Sequence, residues 1–265
     1  MNQKIILQII SLGLILTFLV TLCNLLFGIS TNIELSSWSL LANTLVAIVL
    51  TLLIQSSQLA GWRLALLVFT VYFIIGHFSI LIEAYIFKVT DGWQTTVEIL
   101  RGLVVSLIIS PIAVSLLGRW TGHTAVDTMP YKSRSWFSWS WRIVLGILLY
   151  FVIYAMAGMT LQAVYPEFMA FYEGKIPAFD LIFKVQLFRG LMFVLITLFM
   201  LSNLQISLGK KAILVGLIFS VFGGIAPLLS PNDLMPAYVR LAHGFEVGIS
   251  NFLYGVVLGY LLNRH

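Results

Sequence analysis

The chain has 265 residues, of which 60% are hydrophobic and 9% are charged, and its mean hydropathy is +1.02. Soluble globular domains carry about 25% charged residues, so this composition excludes a water-soluble protein and predicts a membrane protein. The formal net charge is +5, but the basic residues are scattered instead of clustered, so we expect no nucleic-acid partner.

Eight apolar runs follow one another along the chain, and each is long enough for a helix that crosses most or all of a bilayer. The strands of a membrane barrel would alternate polar and apolar residues, and these runs do not. The sequence therefore predicts an all-α, polytopic membrane helix bundle of about eight transmembrane helices. We expect one transmembrane domain, 1–265, with the first run retained as a helix and not cleaved as a signal. The runs cover residues 5–27, 38–54, 62–87, 95–117, 141–164, 179–201, 212–229 and 237–262.

Basic residues are concentrated at one set of predicted helix ends. The loops on the other side hold only Lys88 and Lys175 as basic residues, together with Glu34, Asp91, Glu167, Glu173, Asp180 and Asp233. Because loops rich in lysine and arginine stay in the cytoplasm, we predict an inner (plasma) membrane protein with both termini cytoplasmic. The cytoplasmic set is Lys4, Arg63, Arg119, Lys132, Arg134, Arg142, Lys210, Lys211 and Arg264.

Short patterns recur in the two halves of the chain. Segment 51–57 in the second run resembles segment 197–203 in the sixth, and a basic residue opens the run that follows each. We predict a four-plus-four internal repeat with halves 1–125 and 140–265, related by an axis along the membrane normal because four is even. A second shared pattern pairs the fourth run with the eighth, Glu98-x-x-Arg101-Gly102 with Arg240-x-x-His243-Gly244.

The ionisable residues inside the runs all lie in the outer half of the predicted membrane. Charges at this depth are normally paired or line a wet cavity, and several of these are three positions apart, a spacing at which helical neighbours can pair. We therefore predict a polar cleft open to the extracytoplasmic side, bordered by the third, fourth, sixth and eighth helices. Lys184 is near enough to the helix end to reach the headgroups instead. The candidate ligand-binding residues are His77, Glu83, Glu98, Arg101, Arg189, Arg240, His243 and Glu246.

Two kinds of chemistry are alternatives for the same residues. His243 and Glu246 have the spacing of helix-borne metal ligands, and His77 with Glu83 could complete such a site, but Arg240 would oppose a cation. A Ser-His-acid arrangement has too many candidate serines to be identified from the sequence. We expect no metal, no other cofactor and no catalytic residue.

Helix-breaking residues interrupt two of the runs. Pro111 lies within the fourth run, and the segment 223–227, with two glycines and a proline, lies in the outer half of the seventh. Such residues can kink or unwind a membrane helix, and a break at 223–227 would border the predicted cleft.

The last third of the chain resembles the CAAX-processing and bacteriocin-protection (CPBP) family of intramembrane proteases. The resemblance is carried by LFRGLMF at 187–193, by the stretch 209–223 and by FLYGVVLGYL at 252–261. The family's paired glutamates would stand before Arg189, where this chain has Lys184 and Val185, and the histidine of its next helix falls on glycine or alanine here. The resemblance therefore implies a non-catalytic relative.

Three functions are compatible with these features. The first, which we favour, is a transporter or permease-like protein that binds an anionic or amphiphilic small molecule, with Arg101, Arg189 and Arg240 as anion contacts. The second is a non-catalytic membrane subunit or CPBP-like pseudoprotease that acts as a scaffold for a membrane protein partner. The third is a membrane enzyme acting on a lipid or a peptide. All three have membrane lipid as a partner.

Overall fold

Long apolar helices form the whole of the architecture that the structure describes. The structure is a computed structural model, and it describes residues 3–29, 37–121, 135–232 and 234–263. Within these residues, eight helices are long and apolar enough to span a membrane, which confirms the predicted all-α, polytopic helix bundle. They are α1 (Gln3–Leu26), α2 (Ser37–Ser56), α3 (Gly61–Ile86), α4 (Gly92–Leu116), α5 (Trp136–Val164), α6 (Phe179–Asn203), α7 (Leu208–Leu229) and α8 (Ala237–Leu262).

A ninth helix is too short to cross a membrane. This short helix, Pro166–Tyr172, lies between α5 and α6 and begins at a proline, whose fixed backbone angle suits the first turn of a helix. Its rings pack against Val239 at the start of α8, and these residues form a small core separate from the main one.

The outer faces of the bundle are as apolar as its interior. Helix α5 is the extreme case, because only Gly146 and Tyr150 of its 29 residues are buried. A helix that is hydrophobic all round is stable only in a protein core or in lipid, so this exposed surface fits the hydrocarbon of a bilayer.

Both ends of the described chain lie at one face of the bundle, which we call the terminal face. At this face Gln8 donates a hydrogen bond to the Leu116 carbonyl at 2.7 Å, which ties the start of α1 to the end of α4. Arg119 donates to the carbonyls of Ser57 and Leu59 at 2.6 and 3.1 Å, next to the turn between α2 and α3. The short helix, the end of α1, the loop before α4 and the start of α8 lie at the other face, which we call the distal face.

Five of the charged residues used to predict orientation lie outside the described residues. They are Glu34, Lys132, Arg134, Asp233 and Arg264. The remaining charged residues lie at the two faces as predicted, the mainly basic set at the terminal face and the mainly acidic set at the distal face. Which face is cytoplasmic stays a prediction.

Helices α3 and α7 share an unusual interruption. Each begins with a regular α-helix of 13 residues, Gly61–Phe73 in α3 and Leu208–Ser220 in α7, and each then has a five-residue π-helix, Ile74–Phe78 or Val221–Ile225. The two π-helices pack against each other between the halves of the chain. The second one coincides with the predicted break at 223–227, whereas α4 continues as a helix past Pro111.

The ends of α2 and α6 also meet as a matched pair at the terminal face. Ser57 and Leu204 form an isolated antiparallel β-bridge, in which the Gln58 amide donates to the Asn203 carbonyl and the Gln205 amide donates to Ser56, both at 2.9 Å. This bridge and the two π-helices support the four-plus-four repeat, which we retain as a proposal.

Helices α7 and α8 approach each other closely because small residues line their contact. A Cβ atom on Gly255 would lie 2.7 Å from the Gly216 Cα, and one on Gly259 would lie 2.6 Å from the Ala212 Cα. Small residues at a membrane-helix crossing allow backbone-to-backbone packing of this kind.

Candidate functional site

A cavity of about 540 Å³ lies between α1, α2, α3, α4 and the end of α7. Its walls reach the distal face, where Gly28 and Asn232 line it, and apolar side chains make up most of its surface. Cavities of about 300–1,000 Å³ with apolar walls and a few polar groups are typical of small-molecule sites.

An arginine and a glutamate are the charged residues of the described cavity wall. Arg101 Nη2 lies 2.6 Å from Glu98 Oε2, one turn earlier on α4, and Arg101 Nη1 donates to Asn24 Oδ1 on α1 at 2.7 Å. The side chains are 20% and 10% exposed, so the pair is mostly shielded but not sealed. Arg101 Nε is buried and has no hydrogen-bond partner among the described residues.

His77 lines the same cavity from within the π-helix of α3. Gly102 provides the space for its ring, since a Cβ atom there would lie 2.5 Å from the His77 Cγ. The Tyr72 ring packs edge-on against the imidazole with the centroids 5.0 Å apart. The Nε2 atom is buried and without a partner among the described residues. Single π-helical turns inside longer helices frequently occur at functional sites, because they alter the direction of nearby side chains.

A second polar group, which we call the α3–α6 network, lies outside the cavity lining. Arg189 Nη1 lies 2.5 Å from Glu83 Oε2 and donates to Gln186 Oε1 at 2.9 Å, and Arg189 Nε donates to Ser79 Oγ at 3.1 Å. Gln186 also donates to the other Glu83 oxygen at 3.1 Å. The guanidinium lies 5.5 Å from the centroid of the Tyr150 ring. Glu83 and Arg189 therefore neutralise each other.

His243 and Glu246 form a third pair, beneath the short helix. His243 Nδ1 lies 3.0 Å from Glu246 Oε2, and the rings of Phe168 and Tyr172 pack at 5.6 and 6.5 Å from the imidazole. Burial raises the pKa of Tyr172, and the negative charges of Glu83 and Glu246 raise it further. The third pair and the α3–α6 network therefore both act electrostatically on this tyrosine.

Arg240 has no carboxylate partner among the described residues and does not itself line the cavity, although it binds two residues that do. It donates to the backbone carbonyls of Leu228 at 3.1 Å and Asn232 at 3.4 Å. These carbonyls belong to the end of α7 and the loop after it, where a cation is favourable. Lys184, by contrast, lies exposed at the start of α6 and pairs with Asp180 at 3.0 Å.

The structure does not bring the eight predicted ligand residues into one cleft. His77, Glu98 and Arg101 line the cavity, and Arg240 caps the end of α7. The other four, Glu83, Arg189, His243 and Glu246, form the α3–α6 network and its neighbouring pair. The cavity border also differs from the predicted one, because α1, α2 and α7 take part while the described residues of α6 and α8 do not.

Neutral polar residues of α1 and α2 also line the cavity. They are absent from the predicted ligand residues because that prediction used only ionisable side chains. Thr17, Thr21 and Asn24 lie on the wall from α1, and Asn43 of α2 donates to Thr17 Oγ1 at 3.1 Å. The signal was present in the sequence, since positions i, i+4 and i+7 share one face of a helix.

The chain matches no family model, no curated protein and no solved structure. The resemblance of its last third to the CPBP family therefore stays a prediction.

Proposed function

We propose that this chain is a transporter- or permease-like protein of the inner membrane that binds an amphiphilic molecule in the cavity. One observation carries the proposal: a cavity of about 540 Å³ among membrane-spanning helices has mainly apolar walls and one guanidinium–carboxylate pair. Polar groups of this kind fix the orientation of a ligand, while apolar walls accept its hydrocarbon part. Ionisable residues are rare inside membranes and commonly mark a ligand or ion pathway.

Arg101 is the arginine best placed to contact a ligand. A guanidinium has five N–H donors, and the hydrogen bonds to Glu98 and Asn24 use two of them. The other two arginines predicted as anion contacts make their bonds within the protein, Arg189 to side chains and Arg240 to carbonyls. Of the three arginines predicted from the sequence as anion contacts, the proposal therefore keeps only Arg101.

A variant that fills the cavity tests this function without assuming a headgroup. Ala84 lines the cavity and is partly exposed, so Ala84→Trp places an indole in the ligand volume. We expect this change to weaken the binding of a lysophospholipid by about tenfold, because its chain and the indole compete for the same space. Native mass spectrometry of the detergent-solubilised protein measures the bound fraction.

The matched control adds the same side chain on the lipid-facing surface. Val144 is exposed on α5, a helix that does not line the cavity within the described residues, and Val144→Trp should bind the lysophospholipid as the unaltered protein does. Equal binding by both tryptophan variants and the unaltered protein would remove the cavity as the ligand site.

A non-catalytic membrane subunit is the second candidate, and a separate observation favours it. The α3–α6 network pairs its charges internally, as expected of a scaffold whose buried polar groups serve packing and not ligand binding. This candidate includes the CPBP-like pseudoprotease. It predicts that the protein purifies in a stable complex from its native membrane and that Ala84→Trp leaves ligand binding unchanged.

A further inference from the structure

The charges of the described residues on the cavity wall balance each other. Among the described residues that line it, Glu98 contributes one negative charge and Arg101 one positive charge, and the others are uncharged or, in the case of His77, an imidazole. His77 has a buried Nε2 atom that no described residue contacts by a hydrogen bond, so a second positive charge here would be neither solvated nor paired within that part of the chain. The described wall is therefore formally neutral.

A neutral wall at membrane depth discriminates between ligands by their net charge. An anionic headgroup bound to Arg101 would share this single positive charge with Glu98, and the described wall would then hold one negative charge without a counter-charge. Unpaired charges away from water are strongly unfavourable. A headgroup that carries both signs can bind both residues and leave every charge compensated.

The unused atoms of the pair match the two parts of such a headgroup. Arg101 retains N–H donors, including the unpartnered Nε, and these can bind phosphate or carboxylate oxygens. Glu98 uses Oε2 for Arg101, so its Oε1 can accept a hydrogen bond from an ammonium group. Gln94 lies one turn before Glu98 on the same wall and extends the polar stripe toward the distal face.

We propose, on the basis of the proposed function, that the cavity recognises the zwitterionic headgroup of an amphiphile, with a primary ammonium bound at Glu98 and an acidic group at Arg101. The apolar wall then holds the hydrocarbon chain. A phospholipid with an ethanolamine headgroup has this chemistry. It differs from the anionic ligand that was predicted from the sequence, with three arginines as its contacts.

Three lysophospholipids with the same acyl chain provide the test. Lysophosphatidylethanolamine has both charges and N–H donors, lysophosphatidylcholine has both charges without N–H donors, and lysophosphatidylglycerol is an anion. Native mass spectrometry of the solubilised protein with pairs of these lipids gives their relative binding. We expect the ethanolamine lipid to be preferred over the glycerol lipid by about tenfold, and over the choline lipid by less, because choline keeps the charge balance.

Replacing either residue of the pair should change lipid binding in a different way. Glu98→Gln leaves Arg101 unpaired and should turn the preference toward the anionic lipid, whereas Arg101→Gln should weaken both. The matched control is Asp180→Asn, which removes an exposed carboxylate whose partner is Lys184, and it should leave the preference unchanged. Free phosphoethanolamine, added as a competitor, distinguishes a lipid from a soluble headgroup, and we expect weak competition because it has no acyl chain.

The outcomes separate this inference from the proposed function. Two results would overturn the zwitterion proposal: a preference of the unaltered protein for the glycerol lipid, or an unchanged preference in a folded Glu98→Gln protein. The proposed function would still stand if Ala84→Trp weakened the binding of all three lipids. If Ala84→Trp weakened none of them, the cavity itself would be excluded. The preference of the unaltered protein is decisive even if a charge variant fails to fold.

Discussion

Arg189 is held inside the bundle by side chains that use its hydrogen-bonding capacity. Its side chain is 3% exposed and contacts Glu83, Gln186 and Ser79, each by a hydrogen bond or an ion pair. A buried cation is tolerated only when opposite charge and acceptors replace its hydration. This arrangement makes Arg189 a structural residue that joins α3 to α6.

Replacing Arg189 should destabilise the protein strongly. Arg189→Ala leaves the Glu83 carboxylate, which is 18% exposed, without its counter-charge. We expect a loss of about 3–5 kcal/mol in the free energy of unfolding, as is typical when one partner of a buried pair is removed. Reversible unfolding of the purified protein in mixed micelles measures it.

Lys184 on the same helix provides the control. It pairs with Asp180, and both side chains are highly exposed, so Lys184→Ala should change the free energy of unfolding very little. Similar losses in the two variants would show that the α3–α6 network is not a buried structural pair.

The sequence predicted ion pairs between near neighbours but not those between distant helices. Glu98 with Arg101, and His243 with Glu246, are three positions apart, and both pairs form in the structure. The partner of Arg189 lies on another helix, and no spacing rule relates two helices whose relative positions are unknown.

At the scale of whole elements, the π-helices determine which residues of α3 and α7 face the cavity. The π-helix Ile74–Phe78 contains His77, and the one in α7, Val221–Ile225, contains Phe222 on the same cavity wall. The second was indicated by its two adjacent glycines, whereas the first has one glycine among apolar residues and gave no comparable signal. Helical periodicity alone therefore could not place His77.

The crossing of α7 and α8 depends on Gly255 having no side chain. Gly255→Ala would bring a Cβ within 2.7 Å of the Gly216 Cα, and backbone atoms cannot move aside as a flexible side chain can. We expect the two helices to separate slightly, with a loss of about 1–3 kcal/mol in the free energy of unfolding, which is typical of overpacking. Thermal unfolding of the purified variant measures the loss.

Gly209 at the start of α7 is the matched position. A Cβ there would lie 3.5 Å from the Tyr260 hydroxyl, an ordinary contact, so Gly209→Ala should be tolerated. Equal melting temperatures for the two variants would contradict a backbone-to-backbone crossing.

At the scale of the whole molecule, the sequence predicted the spans well and their arrangement poorly. Each apolar run became a helix close to its predicted bounds, because hydrocarbon leaves a helix as one of the few structures that satisfy the backbone. The order of helices around the bundle was not predictable, because outer faces such as that of α5 are as apolar as the buried ones. The cleft was consequently predicted between α3, α4, α6 and α8, whereas the cavity that Arg101 lines lies between α1, α2, α3, α4 and α7.

The two polar regions occupy corresponding places if the halves are repeats. The cavity lies among α1 to α4 of the first half and is also lined by α7 of the second half. The α3–α6 network lies among helices of the second half and also includes Ser79 and Glu83 of α3. In this arrangement the first half would keep an open site, and the matching place in the second half would be filled by the Arg189–Glu83 ion pair and the short helix. A parallel repeat would direct both regions toward the same face of the membrane.

Labelling of single cysteines determines on which side of the membrane the distal face lies. Cys23 is the only cysteine, so Cys23→Ala provides a background in which Glu173→Cys marks the distal face and Gln205→Cys the terminal face. Both positions are exposed. Because lysine and arginine favour the cytoplasm, we expect a membrane-impermeant maleimide to label the variant at position 173 in intact spheroplasts, and the variant at 205 only after the membrane is opened.

The same labelling decides which leaflet can supply a ligand to the cavity. With the distal face outside, the polar stripe of Gln94, Glu98 and Arg101 meets the outer leaflet, and an amphiphile enters from there. Labelling at 205 but not at 173 in intact spheroplasts would reverse the topology and assign the cavity to the cytoplasmic leaflet. The charge balance within the cavity would remain, because it depends on the pairing of Glu98 with Arg101 and not on the orientation of the bundle.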